Sequence, residues 1–404
     1  MVALPPGPLR RLAAGTLLSA VGNGAWYTSW ALFLTRSVGL SPAQVGVGMT
    51  IAGVVGLLAA TPLGWLADRL GAREVFAVLL VLQGVAAVAY LEVDAFAPFV
   101  VIACVAEAAR GSGGARNALV LGLTPRAEER LAALGSLRSI SHFGWAIGAL
   151  AGAVIIGVDS RSGYVALLLL NATSYLAYAA LVASVPRVGC APERRALRVV
   201  HDRPYVTLAA LMGILALCWA MMSSGLPLWV ALHTDAPRSV SAVIVVLNSL
   251  LIALLQVRVS SGMVTPRVAA RGAVVSASLL AASCLLFAVT AGWGGTWVVV
   301  VLVAAGIVHT AGELAFVAAS WGLSVPLMPA DAPGEYQGVF ATGEATALMV
   351  APALMTTLVA GWGQPGWLVL AAIFLLPAAM AIPVTRWALR TRRTVAPATQ
   401  PQSA

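Results

Sequence analysis

Glu107, Arg110, His309, Glu313 and Glu344 are titratable side chains set inside long apolar runs. A lone charge at bilayer depth costs at least ~2.5 kcal/mol even on the lenient insertion scale, so in a membrane each must pair or face water. Glu107 and Arg110 are spaced i,i+3 and share one helix face. They read either as a pair that stitches a helix or as a site that handles protons. His309 and Glu313, four apart on one face, form a second set, and Glu344 a third candidate that could equally line an entrance. A carboxylate in a hydrated, low-dielectric cavity can take up and release a proton under physiological conditions. That favours Glu313 as the proton carrier with His309 modulating it; mutual satisfaction of the two is the structural alternative. Two such ligands make no metal site, and neither a metal nor another cofactor is expected.

A different chemistry is suggested by Asn23, Trp26, Tyr27 and Trp30, which fall on one helical stripe, and by Trp219, Met222 and Ser223, which do the same. Aromatic and methionine side chains make an apolar, polarizable and adaptable lining suited to bulky amphipathic compounds. The alternative is an interfacial belt, since Trp gathers at span ends.

The elements that must hold these residues follow from composition. The 404 residues are 60% hydrophobic and 10% charged, with a mean hydropathy of +0.93, whereas a soluble domain carries about a quarter charged residues. A helix crossing the hydrocarbon core needs roughly 20 apolar residues. Such runs lie near 12 to 35, 43 to 66, 74 to 93, 97 to 121, 134 to 158 and 163 to 186, then 205 to 231, 239 to 260, 272 to 292, 296 to 320, 337 to 361 and 366 to 386. The expected organisation is a six-helix bundle over 1 to 186, a basic linker over 187 to 204, a second six-helix bundle over 205 to 386, and a disordered basic tail over 387 to 404. A weak repeat, ARNALVLGLTP at 115 to 125 and SWGLSVPLMP at 320 to 329, agrees with two related halves.

Arginine placement sets the orientation. With an inside N-terminus, the outer loops hold only Arg36, Arg161 and Arg238. The inner segments hold Arg10, Arg11, Arg69, Arg73, Arg126, Arg130, the linker group with Arg194 and Arg195, Arg267, Arg271 and the C-terminal arginines. Both termini are therefore expected in the cytoplasm. The net charge of +9 sits beside the spans, which points to anionic membrane lipid as a partner and not to nucleic acid. Cys104, Cys190, Cys218 and Cys284 are far apart and read as small core residues. The first helix follows Arg10 and Arg11 directly and is expected to be retained, because the start lacks the order of a cleaved signal peptide.

The segment Gly64-Trp65-Leu66-Ala67-Asp68-Arg69-Leu70-Gly71-Ala72-Arg73 resembles the GxLaDrxGrr signature of the major facilitator superfamily. Arg110-Gly111-Ser112-Gly113-Gly114 resembles that family's RxxqG element, with Gly113 where Gln is usual. Gly144, Gly148 and Gly152 are similar to the gxxxGPxxGg element of drug and proton antiporters, although Ala149 replaces its Pro. The second-half counterpart, Ser260 to Arg267, lacks the acid. The resemblance implies an all-α polytopic membrane protein with twelve transmembrane helices in two pseudo-symmetric bundles.

It further implies that Asp68 faces the start of the eleventh helix across the seam, as a gating residue with Gly64, Arg69, Gly71 and Arg73. The Arg110 element would take part in proton transfer, and the first, fourth, seventh and tenth helices would line the cavity. Gly114, Gly144, Gly148 and Gly152 are expected to serve helix packing. The function expected is proton-coupled efflux of small apolar or amphipathic compounds from a bacterial inner membrane by a monomeric transporter. An uptake permease or a non-transporting receptor of the same fold is the alternative. An enzyme is not expected, as neither HExxH nor a plausible GxSxG occurs.

Overall fold

The computed structural model describes residues 7–158, 160–189 and 197–395. Among these, every regular element is helical. The first half comprises α1 (Pro8–Leu32), α2 (Pro42–Leu70), α3 (Ala72–Ala89), α4 (Phe96–Arg110), α5 (Gly113–Leu123), α6 (Ala127–Val158) and α7 (Arg161–Ala183). The second comprises α8 (Arg203–Ala220), α9 (Leu226–His233), α10 (Ser239–Ser261), α11 (Pro266–Val289), α12 (Gly295–Leu327), α13 (Pro333–Met355) and α14 (Gln364–Val395).

Local chemistry sets several boundaries. Ser41 accepts a bond from the Gln44 amide at 3.2 Å while the Gln44 side chain accepts one from the Ser41 amide at 2.9 Å, and Pro42 opens α2 behind this closed box. Gly71, at φ +105°, lets α2 turn straight into α3. Thr265 caps α11 by accepting the Val268 amide at 3.4 Å, ahead of Pro266.

Two expected spans are not continuous helices. The run from 97 to 121 breaks at Gly111 and Ser112 into α4 and α5, one residue beyond Arg110. The run from 205 to 231 contains a π turn, Met221–Gly225, between α8 and α9. Further π turns end α1 (Phe33–Ser37) and α13 (Thr356–Gly361). Such turns frequently mark functional positions, and no residue pattern announces them.

Among the described residues, ten helical segments are long and apolar enough to cross a membrane. α1 and α6, with 25 and 32 residues, match them in length. The expected disordered tail needs correction, because α14 runs to Val395 and so includes its first turns. Cys190, Arg194, Arg195 and residues 396 to 404 lie outside the described residues. Cys218 and Cys284 are buried and Cys104 partly so, all three as free thiols.

Each half has its own apolar core. In the second half it is continuous, running from Val199 through Trp229, Phe287 and Trp367 to Ala388. In the first half it is divided. One cluster around Leu12, Phe76, Leu119 and Tyr178 lies toward the face where α1 begins and α14 ends. The other, around Trp26, Phe33, Tyr90 and Phe99, lies toward the opposite face. Large aliphatic side chains such as Leu58, Leu150 and Val246 are about two-thirds exposed, the arrangement expected of a surface solvated by lipid. The halves meet where α2 and α5 pack on α13 and where α6 packs on α10 and α12.

Candidate functional site

The carboxylate of Glu313, midway along α12, is 2% exposed and held by three other helices. Its Oε1 accepts Arg138 Nη2 of α6 at 2.6 Å and the Trp219 indole of α8 at 2.9 Å. Its Oε2 accepts Asn248 Nδ2 of α10 at 2.9 Å. Asn248 also donates to Thr310 at 3.1 Å, and the Arg138 guanidinium stands over the Trp219 ring, 5.5 Å from its centroid. Since α6 belongs to the first half and α12 to the second, the Arg138–Glu313 ion pair bridges the two halves. At 1.5 Å per residue it lies about 15–20 Å in from the face of the termini.

His309 is fully buried beside this cluster, with Nε2 3.9 Å from Glu313 Oε2, and neither ring nitrogen has a hydrogen-bond partner among the described residues. His309 and Glu313 therefore do not satisfy each other; the cation that does so for Glu313 is Arg138. Arg138 is the charged member of this cluster that the sequence alone does not single out. The signal was present, as it lies inside the apolar run 134 to 158, where a guanidinium is as costly as a carboxylate. Glu344 of α13 shares an adjoining chamber of about 110 Å³ with Arg116, Asn117, Arg138, Trp321 and Gln337.

A second polar group divides the first-half core. Glu107 and Arg110 form the expected i,i+3 ion pair at 3.2 Å. The Arg110 guanidinium lies 4.6 Å from the centroid of the Tyr27 ring, a cation–π contact between α4 and α1. Trp26, Tyr27, Trp30, Tyr90, Glu107 and Arg110 line a chamber of about 40 Å³, room for little more than one water molecule. Tyr175 of α7 donates to Asn23 at 2.5 Å, which ties α7 to α1.

The aromatic candidates fall into two groups, Trp26, Tyr27 and Trp30 around the Glu107–Arg110 chamber and Trp219 at the Glu313 cluster. Trp26 and Met222 are buried in the core of their own half, Ser223 is exposed, and Tyr27, Trp30 and Trp219 are partly exposed. Met222 and Ser223 fall within the π turn, not on a regular stripe continuing from Trp219.

At the face of the termini, Asp68 is 5% exposed and its two oxygens accept the amides of Gly334 and Glu335 at 2.7 and 2.8 Å. These amides open α13, so a carboxylate of the first half caps a helix of the second, where the helix dipole favours a negative charge. The contact requires glycine on both sides: a Cβ on Gly64 would collide with the Gly334 carbonyl, and one on Gly334 with that of Gly64. Nearby, Thr61 and Thr342 share a hydrogen bond at 2.9 Å and Asn117 donates to Gln337 at 3.1 Å, both across the seam. Arg69 stacks on Trp65 at 4.8 Å, and Arg73 binds Glu74 and the carbonyls of Ala183 and Val185 at the end of α7.

The four glycines expected to pack helices lie in different places. Gly114 faces α13, where a Cβ would sit 2.7 Å from the Gly334 carbonyl. Gly144 and Gly148 press α6 on α1 within the first half, and Gly152 is buried farther along α6.

Among the described residues, ten apolar spans in two bundles define a multi-pass membrane protein. The family model for the Major Facilitator Superfamily matches residues 12–352. The chain belongs to that superfamily, whose transporters bind small-molecule substrates. Among solved structures, the fold is similar to that of a bacterial homologue of the iron transporter ferroportin in an outward-facing state, with a TM-score of 0.76 and 15% identity over 95% of this chain and 100% of that one. It is also similar to a proton:xylose symporter of the superfamily, with a TM-score of 0.69 and 13% identity over 92% and 94% of the two chains. The E. coli fucose:proton symporter aligns with a TM-score of 0.66 and 17% identity over 94% and 98%. A search of curated protein sequences finds no significant match. Among the described residues, no three His, Cys, Asp or Glu side chains gather in a way that could hold a metal ion.

Proposed function

We propose that the chain is a proton-coupled exporter of small apolar or amphipathic compounds, drugs or secondary metabolites among them. Its twelve spans would work by alternating access in a bacterial inner membrane, as a monomer with both termini in the cytoplasm. The observation that carries this reading is the buried Arg138–Glu313 pair between the halves.

With Glu313 ionised, the pair draws α6 to α12. Proton uptake by Glu313 removes one charge and leaves Arg138 without its counter-ion, so the seam loses its attraction. Removing one partner of a buried pair costs about 3–5 kcal/mol. Carrying a two-state equilibrium from 1:99 to 99:1 takes ~5.5 kcal/mol. A single protonation is thus of the size required to redistribute the two states, with substrate binding supplying the rest.

Asp68 acts as a second latch at the cytoplasmic mouth. Its charge at the start of α13 is worth up to ~2 kcal/mol when partly buried, enough to bias the closed end without fixing it. Gly64 and Gly71 allow that contact, and Arg69 and Arg73 anchor its loop. Glu107 and Arg110 form a subsidiary proton-handling pair, and Glu344 with Arg116 keeps the adjoining chamber polar. Tyr27, Trp30, Trp219 and Ser223 offer the aromatic and adaptable lining that suits amphipathic substrates.

The nearest rival is an uptake permease, favoured by the likeness in fold to two sugar symporters; a receptor without transport is the other. Flux into everted vesicles separates them. An exporter loads such vesicles with a hydrophobic dye or drug in proportion to the proton gradient, and Glu313→Gln reduces that gradient dependence at least tenfold while leaving downhill exchange. Loading indifferent to the gradient contradicts coupling, and no movement of any solute favours the receptor.

A further inference from the structure

A third polar feature lies outside the seam. Between the beginning of α11 and the end of α14 is a cleft of about 450 Å³ lined by Arg267, Arg271, Arg386 and Arg390, with Ala270, Ile382, Thr385 and Leu389 as its floor. From Pro266 to Val289 and from Gln364 to Val395 neither helix contains an acidic residue. Arg267, Arg271 and Arg386 have no ion pair or hydrogen bond among the described residues, whereas Arg390 has a partner of its own. Arg267 also sits in the first turn of α11, where the partial positive charge of the helix terminus opposes a cation. Arg267, Arg271 and Arg386, gathered without a counter-ion among the described residues, repel one another, and an anion in the cleft would remove that repulsion.

The anion's chemistry can be narrowed by what surrounds the cleft. It opens at the level where α11 begins and α14 ends, beside an exposed Trp387 of the kind that sits at a membrane interface, with Val268 and Met380 exposed nearby. Ile382 and Leu389 provide an apolar wall within reach of the arginines. A phosphate bearing acyl chains would use both surfaces: the guanidinium forks take its oxygens two at a time, and the aliphatic wall takes the start of the chains. A free phosphate would use only the first.

We propose that this cleft is a binding site for the phosphate headgroup of an anionic phospholipid, distinct from the seam and independent of what the protein transports. Full-length protein, stripped of lipid in detergent, tests it. Phosphatidylglycerol, phosphatidylcholine of the same chains, and inorganic phosphate are each titrated while thermal unfolding is followed, and native mass spectrometry counts the lipids retained. Wild-type protein is expected to retain one phosphatidylglycerol and to be stabilised by it at concentrations where phosphatidylcholine has no effect. Each arginine near an anionic headgroup contributes about fivefold in affinity, so R267Q/R271Q/R386Q should need roughly a hundredfold more phosphatidylglycerol.

The variant's melting temperature without added lipid, against that of wild type, separates lost binding from lost folding. If it is destabilised even so, the retained-lipid count on wild type alone decides. Equal responses of wild type and a folded variant would overturn the proposal, as would no retained phosphatidylglycerol on wild type. Full stabilisation by inorganic phosphate would also overturn it, assigning the cleft to a soluble anion instead.

Discussion

Arg138 and Glu313 form a closed electrostatic unit whose parts cannot be removed one at a time without cost. Arg138→Met leaves the Glu313 carboxylate buried with only the Trp219 and Asn248 donors, and should destabilise the protein by about 3–5 kcal/mol. Glu313→Leu strands Arg138 to a similar extent. The double variant R138M/E313L should recover most of that loss, since it leaves neither charge behind. Chemical unfolding of the four proteins forms a double-mutant cycle; additive losses would show that the two side chains do not depend on each other. Asp68 is coupled differently, through charge on a helix terminus. Asp68→Asn keeps an acceptor for one of the two α13 amides but removes the charge, and should shift the equilibrium at that face toward opening by up to about thirtyfold. Labelling of a cysteine placed at Thr61 or Thr342 measures that opening, and unchanged labelling would remove Asp68 from the latch.

At the scale of the element, the close approach of α2 and α13 depends on two missing side chains. Gly64→Val puts three carbon atoms where the Gly334 carbonyl now lies, so α2 and α13 should part while each remains helical. Unchanged circular dichroism with increased labelling at Thr61 is the expected outcome; unchanged labelling would mean that the contact is not needed for closure. This contact shows how much of the site is legible from residues alone. The signature around Asp68, the pairing of Glu107 with Arg110 and the isolation of Glu313 can all be read from spacing and from the cost of charge in lipid. The partner of Glu313 could not be inferred by proximity, because Arg138 lies 175 residues away and no local period relates α6 to α12. The breaks after Arg110 and after Ala220 were equally hidden: glycine beside serine permits a break without requiring one, and a π turn has no residue code.

The whole molecule consists of two bundles that pack through α2 and α5 on α13 and through α6 on α10 and α12, with the Asp68 and glycine contacts at one end and, among the described residues, the Arg138–Glu313 ion pair farther in. The general architecture follows from the sequence because long apolar runs, with arginines concentrated in every second connector, leave few other ways to satisfy the backbone in lipid. The relative placement of the halves does not, since it depends on a few contacts worth a few kcal/mol each. That balance is what the proposed alternation between two states requires. The central claim is that protonation of Glu313 releases α6 from α12 and thereby changes which face is closed. The direct measurement is pulsed electron-spin distance distributions between labels on the two halves, one pair at the face of the termini and one at the opposite face, in a background lacking the native cysteines. Acidification should lengthen the distances at the face of the termini and shorten those at the other, and Glu313→Gln should give the acid distribution at alkaline pH. Distributions that respond neither to pH nor to Glu313→Gln would contradict it.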